Sequence, residues 1–225
     1  MATRFANRRA AGRELARDLA RYADRDGVIV LGLPRGGMPV AYEVARALDA
    51  PLDAFVVRKL GVPWREELAM GALASGGVCV LNDEVVDALA IDDRTIAAVL
   101  ERERGALERR EQLYRGERAA LEVAERTAIV VDDGLATGAT MRAAIAALRR
   151  RHAHAIVGAV PVASSATCDQ LAEAADEIVC ASTPEPFVAV GLWYSDFSPT
   201  TDREVRCLLE SAVEATAQLG RRSGC

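Results

Sequence analysis

Apolar and polar positions alternate along the chain in two distinct periods. Residues 8–25 set Leu15 and Leu19 four apart on one face of a charged stretch, which predicts an amphipathic helix closed by Gly27. Residues 28–31 read as a short buried strand running into the turn-rich GLPRGGMP. Helical spacing resumes over 40–48, and 52–57 predicts a second strand. Residues 58–70 are mixed and read as loop, whereas 69–73 and 78–81 flank Ser75-Gly76-Gly77 and predict a β-hairpin. A long charged helix is predicted over 93–115, with Ile96, Leu100, Leu107 and Tyr114 near one face. Strands over 128–131, 155–162 and 177–180 then alternate with helices over 141–151 and 166–174. A last helix begins at Thr201, where Thr201-x-x-Glu204 forms a capping box, and runs to about residue 219.

Apolar strands that alternate with helices build a mostly parallel sheet covered on both faces, an α/β architecture. Such sheets bind ligands beyond the carboxyl ends of their strands. A chain of 225 residues, 51% of them hydrophobic, suits one α/β domain with elaborations. No apolar run approaches the roughly 18–20 residues of a membrane span, so no membrane partner is expected. The Arg-rich start lacks the apolar stretch of a secretory signal, and Glu14, Asp18 and Asp24 argue against a transit peptide.

Cys79, Cys168, Cys180, Cys207 and Cys225 are scattered and odd in number, which predicts a reducing cytoplasm without a disulfide framework or zinc site. His152 and His154 fall at a helix-to-strand turn and read as surface residues rather than metal ligands. A net charge of −5 argues against a nucleic-acid surface, so no DNA partner is expected. The 28 basic residues include a single lysine, Lys59.

The most informative segment is 128–150, AIVVDDGLATGATMRAAIAALRR. A strand ends in two carboxylates, Asp132 and Asp133, and a loop of small residues opens directly into a helix. Gly134, Ala136, Gly138 and Ala139 leave the backbone bare, so N–H groups can turn inward around an anion. The helix aims its partial positive charge at the same spot, and Thr137 and Thr140 add hydroxyl donors. Acids beside a phosphate cradle suit a ligand with vicinal hydroxyls near its phosphate, such as a ribose, and they can hold Mg²⁺. The patterns GxxxxGK[ST] and GxGxxG are both absent.

This segment resembles the signature of type I phosphoribosyltransferases: a strand, two acids, two variable positions and a small-Thr-Gly-x-Thr run. The resemblance implies that family's fold, a central mostly parallel sheet flanked by helices with a small hood. One domain over 1–225 is then expected, with a core at about 28–182, a hood at about 183–200 plus terminal helices, and a helical elaboration at about 84–115. It implies that Asp132 and Asp133 meet the ribose hydroxyls, and that Gly134, Leu135, Ala136, Thr137, Gly138, Ala139 and Thr140 hold the 5-phosphate. Gly32-Leu33-Pro34-Arg35-Gly36-Gly37 is similar to the family's pyrophosphate loop. By that match Arg35, Gly36 and Gly37 meet the pyrophosphate, and the peptide bond into Arg35 is cis. Arg58 and Lys59 match the family's basic position, with Lys59 assigned a catalytic role beside the two acids, and the residues after them match a mobile loop that excludes water.

Four of the aromatic residues, Phe187, Trp193, Tyr194 and Phe197, fall within 187–197. Phe187 to Gly191 followed by Asp196 is similar to the hood of purine-type members, with Phe187 or Trp193 facing a base and Asp196 joining Asp132 and Asp133 at a metal. The spacing to Asp196 departs slightly from that pattern, and no base-reading lysine is evident. The resemblance thus implies transfer of the phosphoribosyl group of 5-phosphoribosyl-1-pyrophosphate (PRPP) to a nucleobase-like acceptor, with Mg²⁺, in a cytoplasmic homodimer of nucleotide metabolism. A non-catalytic sensor of PRPP or nucleotides and a sugar-phosphate hydrolase are the rival readings, and fold alone does not choose among them.

Overall fold

Five short apolar runs assemble into one parallel sheet. The computed structural model describes residues 4–222, with side chains to residue 215. The strands β1 (Val28–Gly32), β2 (Leu52–Ala54), β6 (Thr127–Val131), β7 (Ala155–Val162) and β8 (Glu177–Ser182) lie in the order β2-β1-β6-β7-β8. Their side chains alternate between two faces, as the strand period requires. Val28 and Val30 of β1 join Ile129 and Val131 of β6 in one core. Ile29 and Leu31 join Ala128 and Val130 in the other.

Helices cover both faces. On the first lie α1 (Arg8–Asp18), α2 (Gly37–Leu48), α4 (Asp93–Arg115) and α7 (Asp202–Arg222); on the second lie α5 (Ala139–Arg150) and α6 (Ser165–Ala172). Asn7 caps α1 through a 2.9 Å bond from the Ala10 N–H, and Asp92 caps α4 through a 2.7 Å bond from the Thr95 N–H. Thr201 caps α7 through Glu204 N–H at 3.1 Å, as its sequence predicts.

The placement that matters for function is the pairing of β1 with β6. Their register sets Gly32 beside Val131, so the two strands end together. The helix after β1 packs on one face and the helix after β6 on the other. Such a topology makes a crevice where they part, at the carboxyl end of the sheet.

Three expectations are corrected. Residues 58–70 are not loop: β3 (Val57–Val62), β4 (Arg65–Ala74) and β5 (Val78–Leu81) form an antiparallel sheet in the order β3-β4-β5. Leu60, Val62 and Met70 are fully buried, and the polar residues between them sit on the opposite side or at the tip, which hides the alternation. The strand expected over 52–57 is likewise split, because Phe55 and Val56 are buried as a connector from one sheet to the other. The cysteines are not all unpaired, since Cys168 of α6 and Cys180 of β8 form a disulfide. Cys79 and Cys207 are free, and Cys225 lies outside the described residues. A short helix, α3 (Asp83–Ala88), precedes α4 within the expected helical elaboration. His152, at φ 57°, and the exposed His154 lie in the turn between α5 and β7. Among the described residues no helix is long and apolar enough to cross a membrane.

The long helix α4 is anchored by charge as well as by apolar packing. Arg115, at its last turn, donates from Nε to both oxygens of Asp53 on β2, at 3.0 and 2.9 Å, from Nη1 to Glu111 at 2.9 Å and from Nη2 to the Ala54 carbonyl at 2.7 Å. Both members of the pair are about nine-tenths buried. Removing one partner of such a pair leaves the other charged in a dry site. Arg115→Ala is therefore expected to cost about 3–5 kcal/mol of folding stability, read as a lowered urea midpoint.

Candidate functional site

The crevice is built from two loops that emerge side by side. Leu33 N–H donates to the Val131 carbonyl at 2.8 Å, tying the loop after β1 to the end of β6. The glycines of that loop are required by the approach. A Cβ on Gly37 would lie 2.6 Å from the Val131 carbonyl oxygen, and one on Gly36 would overlap the Asp133 carboxylate. The structure thus brings Gly36 and Gly37 against Asp132 and Asp133. The Pro34–Arg35 peptide is cis, as the resemblance implies. Arg35 is half exposed, with Nη1 3.9 Å from Asp202 at the start of α7, and Asp202 also accepts from the Tyr114 hydroxyl at 2.6 Å.

The two carboxylates differ in their surroundings. Asp132 accepts from the Asp133 N–H at 2.8 Å. Burial, and then the neighbouring Asp133 charge, push its pKa well above the ordinary carboxylate range. Burial also raises that of Asp133, but Arg8 opposes the shift by donating from Nε to Oδ2 at 2.7 Å. The Asp133 carbonyl accepts from the Tyr194 hydroxyl at 2.5 Å.

The loop that follows is fixed from beneath and open above. Leu135 N–H donates to the Val162 carbonyl at 3.0 Å, and the Ala136 carbonyl accepts from the Thr167 hydroxyl at 3.2 Å. Gly138, at φ 70°, adopts a left-handed conformation, and a Cβ there would press on Leu171 and Thr167 at 3.1 Å. Ala136, Thr137, Ala139 and Thr140 are exposed. The N-cap residue of α5, Gly138, has no side chain to cap it, and Thr137 Oγ1 accepts from Ala139 N–H at only 3.4 Å. The free N–H groups and dipole of this helix end therefore face a concave loop of small residues, a geometry that binds phosphate.

The basic residues of β3 point in opposite directions. Lys59 is exposed and lines a cleft of about 670 Å³ together with Val57, Ala139, Thr140 and Arg142. Arg58 faces α4 and is paired with Glu103, with bonds of 2.9 and 2.6 Å from Nε and Nη2. The structure brings Lys59, but not Arg58, to a cleft shared with Ala139 and Thr140.

The hood side is arranged differently from the simple stacking platform that the resemblance implies. Phe187 and Trp193 pack against Phe5, Ala11, Val162 and Tyr194 in a small apolar cluster. Phe197 lies under the guanidinium of Arg8, 3.9 Å from ring centroid to Cζ. Asp196 is exposed, and its Oδ1 accepts from the Ser198 N–H and hydroxyl at 2.9 and 2.6 Å, which hold its pKa below the usual range. Among the described residues no group of three or more His, Cys, Asp or Glu side chains is gathered to hold a metal ion, so Asp196 does not complete a three-carboxylate set with Asp132 and Asp133. Sequence reasoning missed Arg8, because one arginine in an Arg-rich helix carries no signal that it turns inward.

A family model described as phosphoribosyl transferase domain matches residues 3–192. Two curated proteins of Mycobacterium tuberculosis, from strains CDC 1551 / Oshkosh and ATCC 25618 / H37Rv, are 46% identical over 216 residues and bear provisional phosphoribosyl transferase names. The match covers 96% of this chain and 48% of each relative, so the chain spans about half the length of the curated relatives it matches. The crystal structure of the protein TT1426 from Thermus thermophilus is 40% identical, with a TM-score of 0.83 over 93% of this chain and 99% of that one.

The raised pKa of Asp132 has a consequence for stability. The folded state holds this proton more tightly than the unfolded state does, so stability falls as pH rises from the ordinary carboxylate range through the raised value. Asp132→Asn cannot ionise. The variant is expected to be more stable than the parent at pH 7, with the advantage shrinking toward pH 4, as measured by thermal melts across that range.

Proposed function

The chain belongs to the phosphoribosyl transferase domain family, and on that premise we propose that it transfers the 5-phosphoribosyl group of PRPP to a nitrogen of a nucleobase-like acceptor. The observation that carries this reading is the meeting of the Asp132–Asp133 pair with an uncapped helix N-terminus in one crevice. A phosphate alone needs only the helix end. The adjoining carboxylates supply acceptors for hydroxyls on the same small ligand.

In the proposed reaction a ring nitrogen attacks C1 of the sugar. The C1–oxygen bond to pyrophosphate breaks, and the sugar passes through an oxocarbenium-like transition state. The protein's work is positioning and charge. The loop from Gly134 to Thr140 anchors the 5-phosphate. Asp132 and Asp133 orient the ribose by accepting from its hydroxyls. Arg35, beside Gly36 and Gly37, and Lys59, across the cleft from Thr140, neutralise the departing pyrophosphate.

The donor set fits Mg²⁺. Asp132 and Asp133 offer hard carboxylate oxygens, and Mg²⁺ is commonly held by one or two carboxylates with substrate phosphates and waters rather than by an all-protein cage. When bound, the ion would add positive charge beside the leaving pyrophosphate.

Calorimetric titration with PRPP and Mg²⁺ tests the reading. The parent protein is expected to bind and the Asp132→Ala/Asp133→Ala double variant to lose binding; no binding by the parent at millimolar ligand would overturn it. A panel of bases scored by pyrophosphate release then separates a transferase from a protein that only senses the ligand. Lys59→Ala is expected to lower kcat about 100-fold while changing the PRPP dissociation constant less than roughly tenfold, because its charge acts on the leaving group.

A further inference from the structure

Arg8 is the first residue of α1, yet its side chain runs inward and is only 11% exposed. Arg9 and Arg13, on the same helix, are about half exposed and pair instead with Glu43. Three contacts fix the Arg8 guanidinium: Nε donates to Asp133 Oδ2 at 2.7 Å, Nη1 donates to the Ser198 carbonyl at 2.8 Å, and the Phe197 ring lies against its face. The backbone leading into it is clasped to the hood. Phe5 N–H donates to the Trp193 carbonyl at 2.9 Å, Ser195 N–H to the Phe5 carbonyl at 2.8 Å and Asp196 N–H to the Ala6 carbonyl at 3.0 Å.

We propose that Arg8 is a positioning residue of the sugar site, setting the Asp133 carboxylate for the ribose hydroxyls, an inference that rests on the phosphoribosyl reading. Two adjacent carboxylates repel each other, and an unrestrained Asp133 would turn away from Asp132. Arg8 holds it in place through a charged hydrogen bond. An ionised carboxylate offers about four lone-pair positions, and Arg8 occupies one of them, on Oδ2. The remaining capacity is what the proposal assigns to ribose hydroxyls. The planar fork of a guanidinium suits the task, because Nε and Nη1 reach two acceptors, Asp133 and Ser198, in one plane. The N-terminal segment and the 193–198 segment therefore act on the site through a single side chain.

The test compares two ligands in calorimetric titrations of the parent and Arg8→Ala. Ribose 5-phosphate uses both the loop and the acids; inorganic phosphate uses the loop alone. Arg8→Ala is expected to weaken ribose 5-phosphate by about tenfold or more and to leave inorganic phosphate within about twofold. Equal weakening of both ligands would mean that Arg8 only supports the fold, and no weakening of either would mean that Asp133 needs no restraint; each overturns the inference while the phosphoribosyl reading stands. A parent protein that binds neither ligand overturns that reading and the inference with it. Should Arg8→Ala yield no folded protein, Phe197→Leu keeps both hydrogen-bond acceptors and removes the ring beneath the guanidinium. A smaller loss confined to ribose 5-phosphate is then expected, and a loss shared by both ligands again overturns the inference.

Discussion

Two carboxylates on consecutive residues at the buried end of a strand repel each other, and much of the surrounding architecture answers that repulsion. Asp132 sits against backbone with its neighbour's N–H as a donor. Asp133 receives Arg8 from the side and has its carbonyl fixed by Tyr194. Gly36 and Gly37 leave room for both acids where any side chain would collide. Burying the pair raises both pKa values, and the donors and space around it offset part of that cost.

The loop from Gly134 to Thr140 is built on the opposite principle. Its backbone is held at several points by β7 and α6, while the N-cap of α5, Gly138, brings no capping side chain. A loop fixed in this way loses little freedom when an anion arrives, so more of the contact energy appears as affinity. The cradle is held in shape before any ligand arrives; the acid pair is restrained by partners drawn from distant parts of the chain. The two halves of the site are thus stabilised by different means within one crevice.

Legibility in the sequence followed the range of the interactions. Apart from β2, which was read too long, the strands of the large sheet are largely apolar runs and could be read directly, as could α4 with its spaced apolar face. The cradle was legible because strand, acids, small-residue loop and helix are contiguous. Of the antiparallel sheet, the hairpin of β4 and β5 was legible, but β3 and the start of β4 were not, because Leu60, Val62 and Met70 are separated by polar residues whose outward direction only the fold reveals. Nor was Arg8, which meets Asp133 across 125 residues of chain. Lys59 stood out as the single lysine, but nothing local separated its direction from that of Arg58.

That last distinction has a cause in the connector between the sheets. Only Phe55 and Val56 join β2 to β3, and both are buried, so the chain enters the small sheet with no slack. Successive residues of a strand point to opposite sides, so the number of residues in this connector sets which of two neighbouring cations faces α5 and which faces α4. Parity, rather than any contact of its own, delivers Lys59 to the cleft and hands Arg58 to Glu103. A one-residue insertion here would shift Arg58 into the position of Lys59, and a one-residue deletion would shift Lys59 into that of Arg58, opposite Glu103. Connector length thus decides which cation faces the cleft, although neither connector residue lines it.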